Sequence, residues 1–312
     1  MKDKKVIFMG TPSFSVRILE ALIDSTNVIA VVTQPDKEVG RKKELTYSKV
    51  KECALEHNIK VLQPIKVRKE YQEIIDLKPD IIITCAYGQI IPNELLEYPK
   101  YGCINVHASL LPKLRGGAPI HHAIIDGYEE TGITIMEMDD KMDHGAIITR
   151  ESIVIEDSDT VGSLHDKLSA LGADLLIKTL PSIFDKSYQK EEQDEDEVTF
   201  GYNITREDEF IDFNKPVREV FNRIRGLNPF PGAYAILDNE VVKLFDCEIG
   251  TLTCGKNGEI IKIYRDGIGI SCSDKEIIIK VIQFSGKKKM SVKDYLNGVS
   301  QDKLVGKIFN KN

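Results

Sequence analysis

Asn105, Val106 and His107 open the run Asn-Val-His-Ala-Ser-Leu-Leu-Pro-Lys-Leu-Arg-Gly, and Asp143 follows thirty-six residues after the histidine. An amide that can donate, an imidazole that can donate or accept, and a carboxylate that can fix the imidazole's charge form a set suited to a tetrahedral oxyanion. No serine or cysteine takes a nucleophile's place beside them, which points to a nucleophile carried by a substrate. Alone, an Asn-x-His at a strand end is more often a satisfied hydrogen-bonding pair than a catalytic one, so the elements around it have to be weighed.

Residues 101–106, Tyr-Gly-Cys-Ile-Asn-Val, form a short apolar and β-branched stretch opened by glycine, the pattern of a strand. Side chains two apart on a strand share a face, so Asn105 and His107 are expected to point the same way at its end. Further strands are expected at 6–9, 28–33, 79–84 and 133–138. Helical spacing joins Phe14, Ile18, Leu19, Leu22 and Ile23. Ser48 is placed to cap a helix carrying Val50, Ala54 and Leu55, and 161–180 keeps Leu164, Leu168, Leu171 and Leu175 on one side. Strand and helix in alternation give an α/β, doubly wound and mostly parallel, Rossmann-like sheet, whose working residues collect at the carboxyl ends of the strands. Gly10, Asn105, His107 and the loop around Asp143 all fall there. Gly-Thr-Pro at 10–12 lacks the G-x-G-x-x-G spacing, which disfavours a nicotinamide dinucleotide. That turn fits another substrate and a plain strand-to-helix bend equally.

The chain is long enough for two domains with separate cores. Residues 189–197, Gln-Lys-Glu-Glu-Gln-Asp-Glu-Asp-Glu, carry no apolar period and are expected as a linker. The divisions expected are 1–189, a linker at 190–207, and 208–312. In the last part, short strand patterns at 233–237, 241–245, 260–264, 269–273 and 277–281 alternate with glycine-rich turns, which suggests a smaller, OB-like β-barrel. Net charge is −7, weakly against nucleic acid, yet residues 1–206 carry −9 and 207–312 carry +2. Lys287, Lys288 and Lys289 lie in a stretch, 281–293, that has no acid. On charge alone a polyanion-facing segment and a solvated surface are equally good readings.

The six cysteines are scattered without a C-x-x-C pair, and adjacent His121 and His122 would diverge on a helix, so neither a disulfide framework nor a metal site is expected. No apolar run approaches the ~18 residues of a membrane span. The amino-terminal residues run straight into a strand pattern, so the cytoplasm is the expected location.

Joined to Ser-Leu-Leu-Pro at 109–112, Arg115 and Gly116, and Asp-His-Gly at 143–145, the Asn-x-His resembles the signature of the formyltransferases that use 10-formyltetrahydrofolate. Ala-Tyr-Gly-Gln-Ile-Ile-Pro at 86–92 fits the same pattern. Phe-Met-Gly-Thr-Pro at 8–12, Thr-Gln-Pro-Asp at 33–36, Arg-Gly-Gly-Ala-Pro-Ile at 115–120, Thr-Gly-Ile-Thr-Ile-Met at 131–136 and Asn-Pro-Phe-Pro-Gly-Ala-Tyr at 228–234 are most similar to the branch that formylates methionine on initiator tRNA. The resemblance spans both halves of the chain.

That resemblance implies roles. Asn105 would hydrogen-bond the formyl oxygen as it becomes an oxyanion. His107 would stabilise that charge or pass a proton to the folate's departing N10, and Asp143 would hold His107 in its useful protonation state. Ser109, Leu110, Leu111 and Pro112 would line the folate site, with Gln89, Ile90 and Ile91 meeting the pterin edge. Arg41 and Lys42 would touch phosphates near the tRNA acceptor end, and Lys287, Lys288 and Lys289 the tRNA backbone further off. No metal, no membrane partner and a monomer are implied. The chain departs from the family at Gly-Tyr-Asn-Ile, 201–204, where a lysine is usual, and in the acidic stretch before it. Two rival readings stand beside this one: a folate-dependent formyltransferase for a small amine, such as glycinamide ribonucleotide or an amino-sugar nucleotide, and a noncatalytic RNA-binding protein on an enzyme fold.

Overall fold

A computed structural model describes residues 1–39 and 44–310. The chain divides into two compact units, each assembled from separated segments. The first is Met1–Pro119, Glu130–Val154 and His165–Tyr202; the second is Ile120–Glu129, Ile155–Leu164 and Asn203–Asn312.

Among the described residues, nine strands belong to the first unit: β1 (Lys5–Gly10), β2 (Asn27–Val32), β3 (Lys37–Val39), β4 (Glu44–Thr46), β5 (Lys60–Leu62), β6 (Ile81–Cys85), β7 (Cys103–His107), β8 (Glu130–Glu137) and β9 (Ile147–Val154). Seven of them form one sheet in the order β5-β2-β1-β6-β7-β8-β9, while β3 and β4 pair as a separate hairpin. All pairs from β5 to β7 are parallel; β8 and β9 run antiparallel to their neighbours. Strand order reverses between β1 and β6, the position where doubly wound sheets open a crevice. Val6, Ile7, Phe8, Ile81, Ile82 and Ile83 are wholly buried, as strands covered on both faces must be.

Register prepares the site. Asn105 on β7 stands opposite Thr84 of β6 and Met136 of β8, and His107 stands opposite Thr134. Val106, between the two polar residues, faces the other way and lies under the helix Val161–Asp185. There a Cβ added to Gly172 would come within 3.2 Å of Val106 and 3.4 Å of Ile18. Burying a valine side chain of this kind contributes about 1.5–3 kcal/mol, and it fixes which face its neighbours present.

In the second unit, β10 (Ala233–Leu237), β11 (Glu240–Ile249), β12 (Ile260–Ile263), β13 (Ile268–Ser271), β14 (Glu276–Phe284) and β15 (Met290–Ser291) make an antiparallel sheet in the order β10-β11-β14-β13-β12, with β15 beside β14. Each of the five expected strand positions carries one. Their inward residues, Leu244, Ile270, Ile279 and Ile282 among them, share a core with Val220 and Ile224 of the amphipathic helix Val217–Gly226. Among the described residues, no helix is long and apolar enough to cross a membrane.

The polar stretch expected as a linker is ordered against the first unit as far as Tyr202. Glu191 exchanges both backbone hydrogen bonds with Ile147, and its carboxylate takes Arg150 Nη2 at 2.5 and 2.7 Å. Lys190 reaches Glu137 at 2.6 Å. Charge pairing across long sequence separations, invisible to hydrophobic periodicity, holds this segment down.

Candidate active site

Asn105, His107 and Asp143 come together at the carboxyl end of β7. Thr84 Oγ1 donates to Asn105 Oδ1 at 2.8 Å, which fixes the amide's orientation and turns Nδ2 toward Asp143 Oδ1, 3.4 Å away. His107 is 6% exposed. Its Nε2 lies 3.1 Å from the Leu114 carbonyl, which can only accept, so Nε2 carries a proton and Nδ1 is the nitrogen that looks at Asp143. Nδ1 and Asp143 Oδ1 are 3.6 Å apart. Both contacts to Oδ1 are longer than a good hydrogen bond, whereas Oδ2 is anchored by the Gly116 N–H at 2.9 Å. One carboxylate oxygen is therefore fixed. The other faces the donating Asn105 amide and His107 Nδ1, which donates to it only when the ring is an imidazolium.

The loop that delivers Asp143 is under tension that its surroundings resolve. Asp143 has φ 51°, a left-handed conformation uncommon outside glycine. Two residues on, a Cβ on Gly145 would lie 2.1 Å from the Glu137 carbonyl, so only glycine fits the close return of the loop onto β8. Gln193, from the acidic stretch, clamps the loop: Nε2 donates to the carbonyls of Asp143 and Gly145, both at 2.8 Å. Its Oε1 accepts from Arg115 Nε at 3.0 Å and Nη2 at 2.8 Å. Arg115 is 4% exposed and also donates to Glu195 Oε1 at 2.8 Å. That bond, with the guanidinium charge behind it, holds the Glu195 carboxyl below the usual carboxylate range. His144 sits at the edge of this network, with Nδ1 2.5 Å from Asp139 and Nε2 3.6 Å from Glu195. Thr84, Leu114, Arg115, Gln193 and Glu195 carried no signal as a set, because their partners are 7 to 85 residues distant.

The residues expected around a folate fall into two kinds. Ser109 and Leu111 are 1% exposed, and Ser109 Oγ is spent on the Lys113 carbonyl at 2.6 Å. Pro112 and Ile91 are also buried, Leu110 is half-buried, and Ile90 is 60% exposed. Thr134 ties this loop to the sheet, donating to the Ser109 carbonyl at 2.6 Å and accepting from Leu111 N at 3.1 Å. The Gln89 side chain is engaged at home: Oε1 accepts from Val67 N at 2.9 Å, and Nε2 reaches Gln34 at 3.3 Å. Ala86, Gly88 and Ile90, all exposed just past the end of β6, leave small-residue and apolar surface there. A flat heteroaromatic with donor and acceptor edges fits such a surface.

Lys287, Lys288 and Lys289 occupy the exposed turn between β14 and β15 of the second unit. They are not equivalent. Lys289 Nζ lies 3.8 Å from the centre of the Phe245 ring, and partial burial lowers its affinity for a proton; Lys287 stands 5.4 Å from Phe284. Arg41 and Lys42 lie outside the described residues. Among the described residues, no group of three His, Cys, Asp or Glu is arranged to hold a metal ion.

Family models described as "Formyl transferase" and "Formyl transferase, C-terminal domain" match residues 4–180 and 203–300. A methionyl-tRNA formyltransferase of Staphylococcus aureus (strain MW2) is 51% identical over 97% of this chain and 98% of its own length. One from Bacillus cereus (strain B4264) is 52% identical over 96% of both chains. Among solved structures, an N-formyltransferase from Helicobacter canadensis in complex with folinic acid and dTDP-3-aminofucose superimposes with a TM-score of 0.65 at 22% identity, over 92% of this chain and 99% of that one. HypX from Aquifex aeolicus in complex with tetrahydrofolic acid gives 0.64 at 16% identity, over 94% of this chain, which spans only 46% of HypX. At such identities these two likenesses establish the fold alone. The chain belongs to the formyl transferase family, among its methionyl-tRNA formyltransferases.

Proposed function

We propose that the protein transfers a formyl group from 10-formyltetrahydrofolate to the α-amine of methionine esterified to initiator tRNA, preparing that tRNA for translation initiation in the cytoplasm. The observation that carries this reading is the convergence on one oxygen: Asp143 Oδ1 faces the Asn105 amide at 3.4 Å and His107 Nδ1 at 3.6 Å, so neither side chain is locked to it and both can serve a reacting group. Bound, the folate supplies an activated formyl carbon and a leaving nitrogen. Asn105 Nδ2 donates to the formyl oxygen as that atom gains negative charge, a contact worth about 3 kcal/mol. Thr84 holds the amide so that nitrogen, and not oxygen, faces the charge. With Nε2 committed to Leu114, His107 exchanges protons through Nδ1, stabilising the oxyanion or protonating the departing N10. Asp143 orients that imidazole and takes up the proton released by the attacking amine, directly or through one water. General acid–base help of this kind contributes about 10²- to 10⁴-fold.

Ser109 to Pro112 and Gln89 to Ile91 line the folate site, with Leu110 and Ile90 offering side-chain surface and the buried members holding the loops in place. The first unit is the catalytic one. The second binds tRNA through Lys287, Lys288 and Lys289, as Arg41 and Lys42 do near the acceptor end. The small-amine rival gains no support from the relatives at 51% and 52% identity, and a small substrate would not need the second unit. One assay tests the reading: formylation of charged initiator tRNA, elongator methionyl-tRNA and free methionine, each with and without 10-formyltetrahydrofolate. Initiator-selective, donor-dependent transfer is expected. Transfer to a small amine with none to the tRNA would overturn it.

A further inference from the structure

Phe200 and Tyr202 form a stacked pair on the surface of the first unit, ring centres 5.4 Å apart and planes within 6°. Both are exposed, Phe200 by 44% and Tyr202 by 63%. Folding ordinarily hides rings of this size. An exposed pair held in a fixed arrangement is a feature that stability alone does not call for.

The backbone beneath the pair is held in place. Arg115 N donates to the Thr199 carbonyl at 2.9 Å, Gly201 N to the Arg115 carbonyl at 2.8 Å, and Ala118 N to the Gly201 carbonyl at 2.9 Å. The Thr199 hydroxyl accepts from Leu114 N at 2.9 Å. Gly201 separates the two aromatics and presses on Pro119, where an added Cβ would meet the Pro119 Cα at 3.1 Å. The rings therefore stand on a strip of chain laid along 114–118. That strip also supplies two contacts of the site: the Leu114 carbonyl on His107 and the Gly116 N–H on Asp143. At Gly116 (φ 119°) an added Cβ would lie 2.9 Å from the Gly201 carbonyl, so the two strips touch directly at the residue that anchors the carboxylate.

We infer that the Phe200–Tyr202 stack is a platform for the base of the 3′-terminal nucleotide of the tRNA. This rests on the function proposed above. The amine to be formylated is esterified to that nucleotide's ribose, so its base has to lie within a few bonds' reach of Asp143. The acceptor end is single-stranded, and unpaired bases are held by aromatic faces far more than by charge. The other exposed tyrosines of this unit, Tyr47 and Tyr98, lie outside the strip that touches the site. The segment 201–204 carries no cation, so what it offers a nucleotide is ring and polar contacts in place of a charge. A rigid pair also gains more per contact than a loose one, because little ordering is left to do on binding.

The test uses the full-length protein and uncharged initiator tRNA with 2-aminopurine in place of the terminal adenine, a fluorophore quenched when it stacks. Wild type and Tyr202→Phe are expected to quench it on binding, and Tyr202→Ala and Phe200→Leu to leave most of the emission. With charged tRNA, kcat/KM should fall about 5- to 100-fold in Tyr202→Ala and remain within about twofold in Tyr202→Phe. Folate affinity, read separately by its own fluorescence, should match wild type in all variants and confirms that they are folded. Equal quenching in wild type and both ring-deleted variants overturns the inference while leaving the proposed reaction intact. A wild-type protein that formylates no methionyl-tRNA removes both.

Discussion

Replacing Gln193 by leucine should loosen the carboxylate that the proposed reaction depends on, although Gln193 itself touches no reacting atom. Its side chain makes four hydrogen bonds of 2.8 to 3.0 Å, two to the carbonyls of Asp143 and Gly145 and two from the Arg115 guanidinium. At roughly 0.5–1.5 kcal/mol net for each neutral bond and 1.5–3 for those from a charged donor, complete loss would approach 4–9 kcal/mol. Gln193 is only half-buried and Arg115 keeps Glu195, so water and the remaining acceptor recover much of this, and about 2 kcal/mol of stability is the expected loss. The effect on rate comes from geometry. Asp143 is held at φ 51° and keeps the Gly116 anchor, but its loop loses the brace on both sides. Misplacement of a reacting group by about 1 Å typically costs near 10²-fold, so kcat is expected to fall 10- to 100-fold with little change in KM for either substrate. Gln193→Glu separates the two halves, since it keeps an acceptor for Arg115 and loses the donor to the two carbonyls. Urea unfolding gives the stability change, and single-turnover formyl transfer well below the unfolding midpoint gives the rate. A leucine variant that is destabilised yet turns over within twofold of wild type would refute the idea that this brace positions Asp143.

Asn105→Ala and Asp143→Asn should each lower kcat by about 10²-fold or more while tRNA affinity hardly moves, because each removes a contact made in the transition state; near-normal kcat in either would withdraw its assignment. Changing Lys287, Lys288 and Lys289 together to alanine should weaken tRNA binding and flatten its dependence on salt with folate binding unaltered, and coincident salt plots for wild type and mutant would mean a merely solvated surface. Lys288→Ala should account for more of that change than Lys289→Ala, whose ammonium is partly engaged over Phe245; the reverse order would contradict the turn's geometry. Burial pushes the thiols of Cys53 up to about 11 and of Cys85 and Cys272 up to about 12, so at pH 8 they should resist alkylation in the native protein while exposed Cys254 reacts first, as mass mapping of the labelled sites would reveal.

Much of the first unit can be read from its residues. The fully covered strands at β1 and β6 announce themselves as runs of apolar and β-branched residues, and Asn-Val-His sits at a strand end because Val106 has to be buried there. What escapes the sequence has a common physical origin. β9, Ile-Ile-Thr-Arg-Glu-Ser-Ile-Val, is half-exposed and interrupted by charges, and its position is set by pairing with β8. The hairpin of β3 and β4 and the three-residue β5 are too short for a period to emerge. The acidic stretch looks unstructured because acids repel in isolation, and it becomes ordered only when Arg115 and Arg150 stand opposite. For the candidate site, residue types and family motifs put forward Asn105, His107 and Asp143, which the fold brings together. Their supports did not follow, since a threonine on the adjoining strand and a glutamine fifty residues further on gain meaning from tertiary proximity alone.

The interleaving of segments has a consequence for how the chain can be cut and grown. Residues 120–129 and 155–164 belong to the second unit, and Ile125 packs against that unit's core. At Gly226 an added Cβ would fall 2.6 Å from Ile125, so the close fit depends on both stretches being present. A gene truncated after the acidic stretch would yield a product with stranded apolar residues and no core to receive them. A fragment starting at 203 would lack part of its own wall. Nicking a single peptide bond there would not yield two self-sufficient halves. During synthesis on the ribosome the second unit cannot close until the last strands emerge, long after its first segment has been made. The earliest part of that unit must therefore wait, with Ile125 in need of shielding, for roughly the time it takes to translate the remaining half of the message.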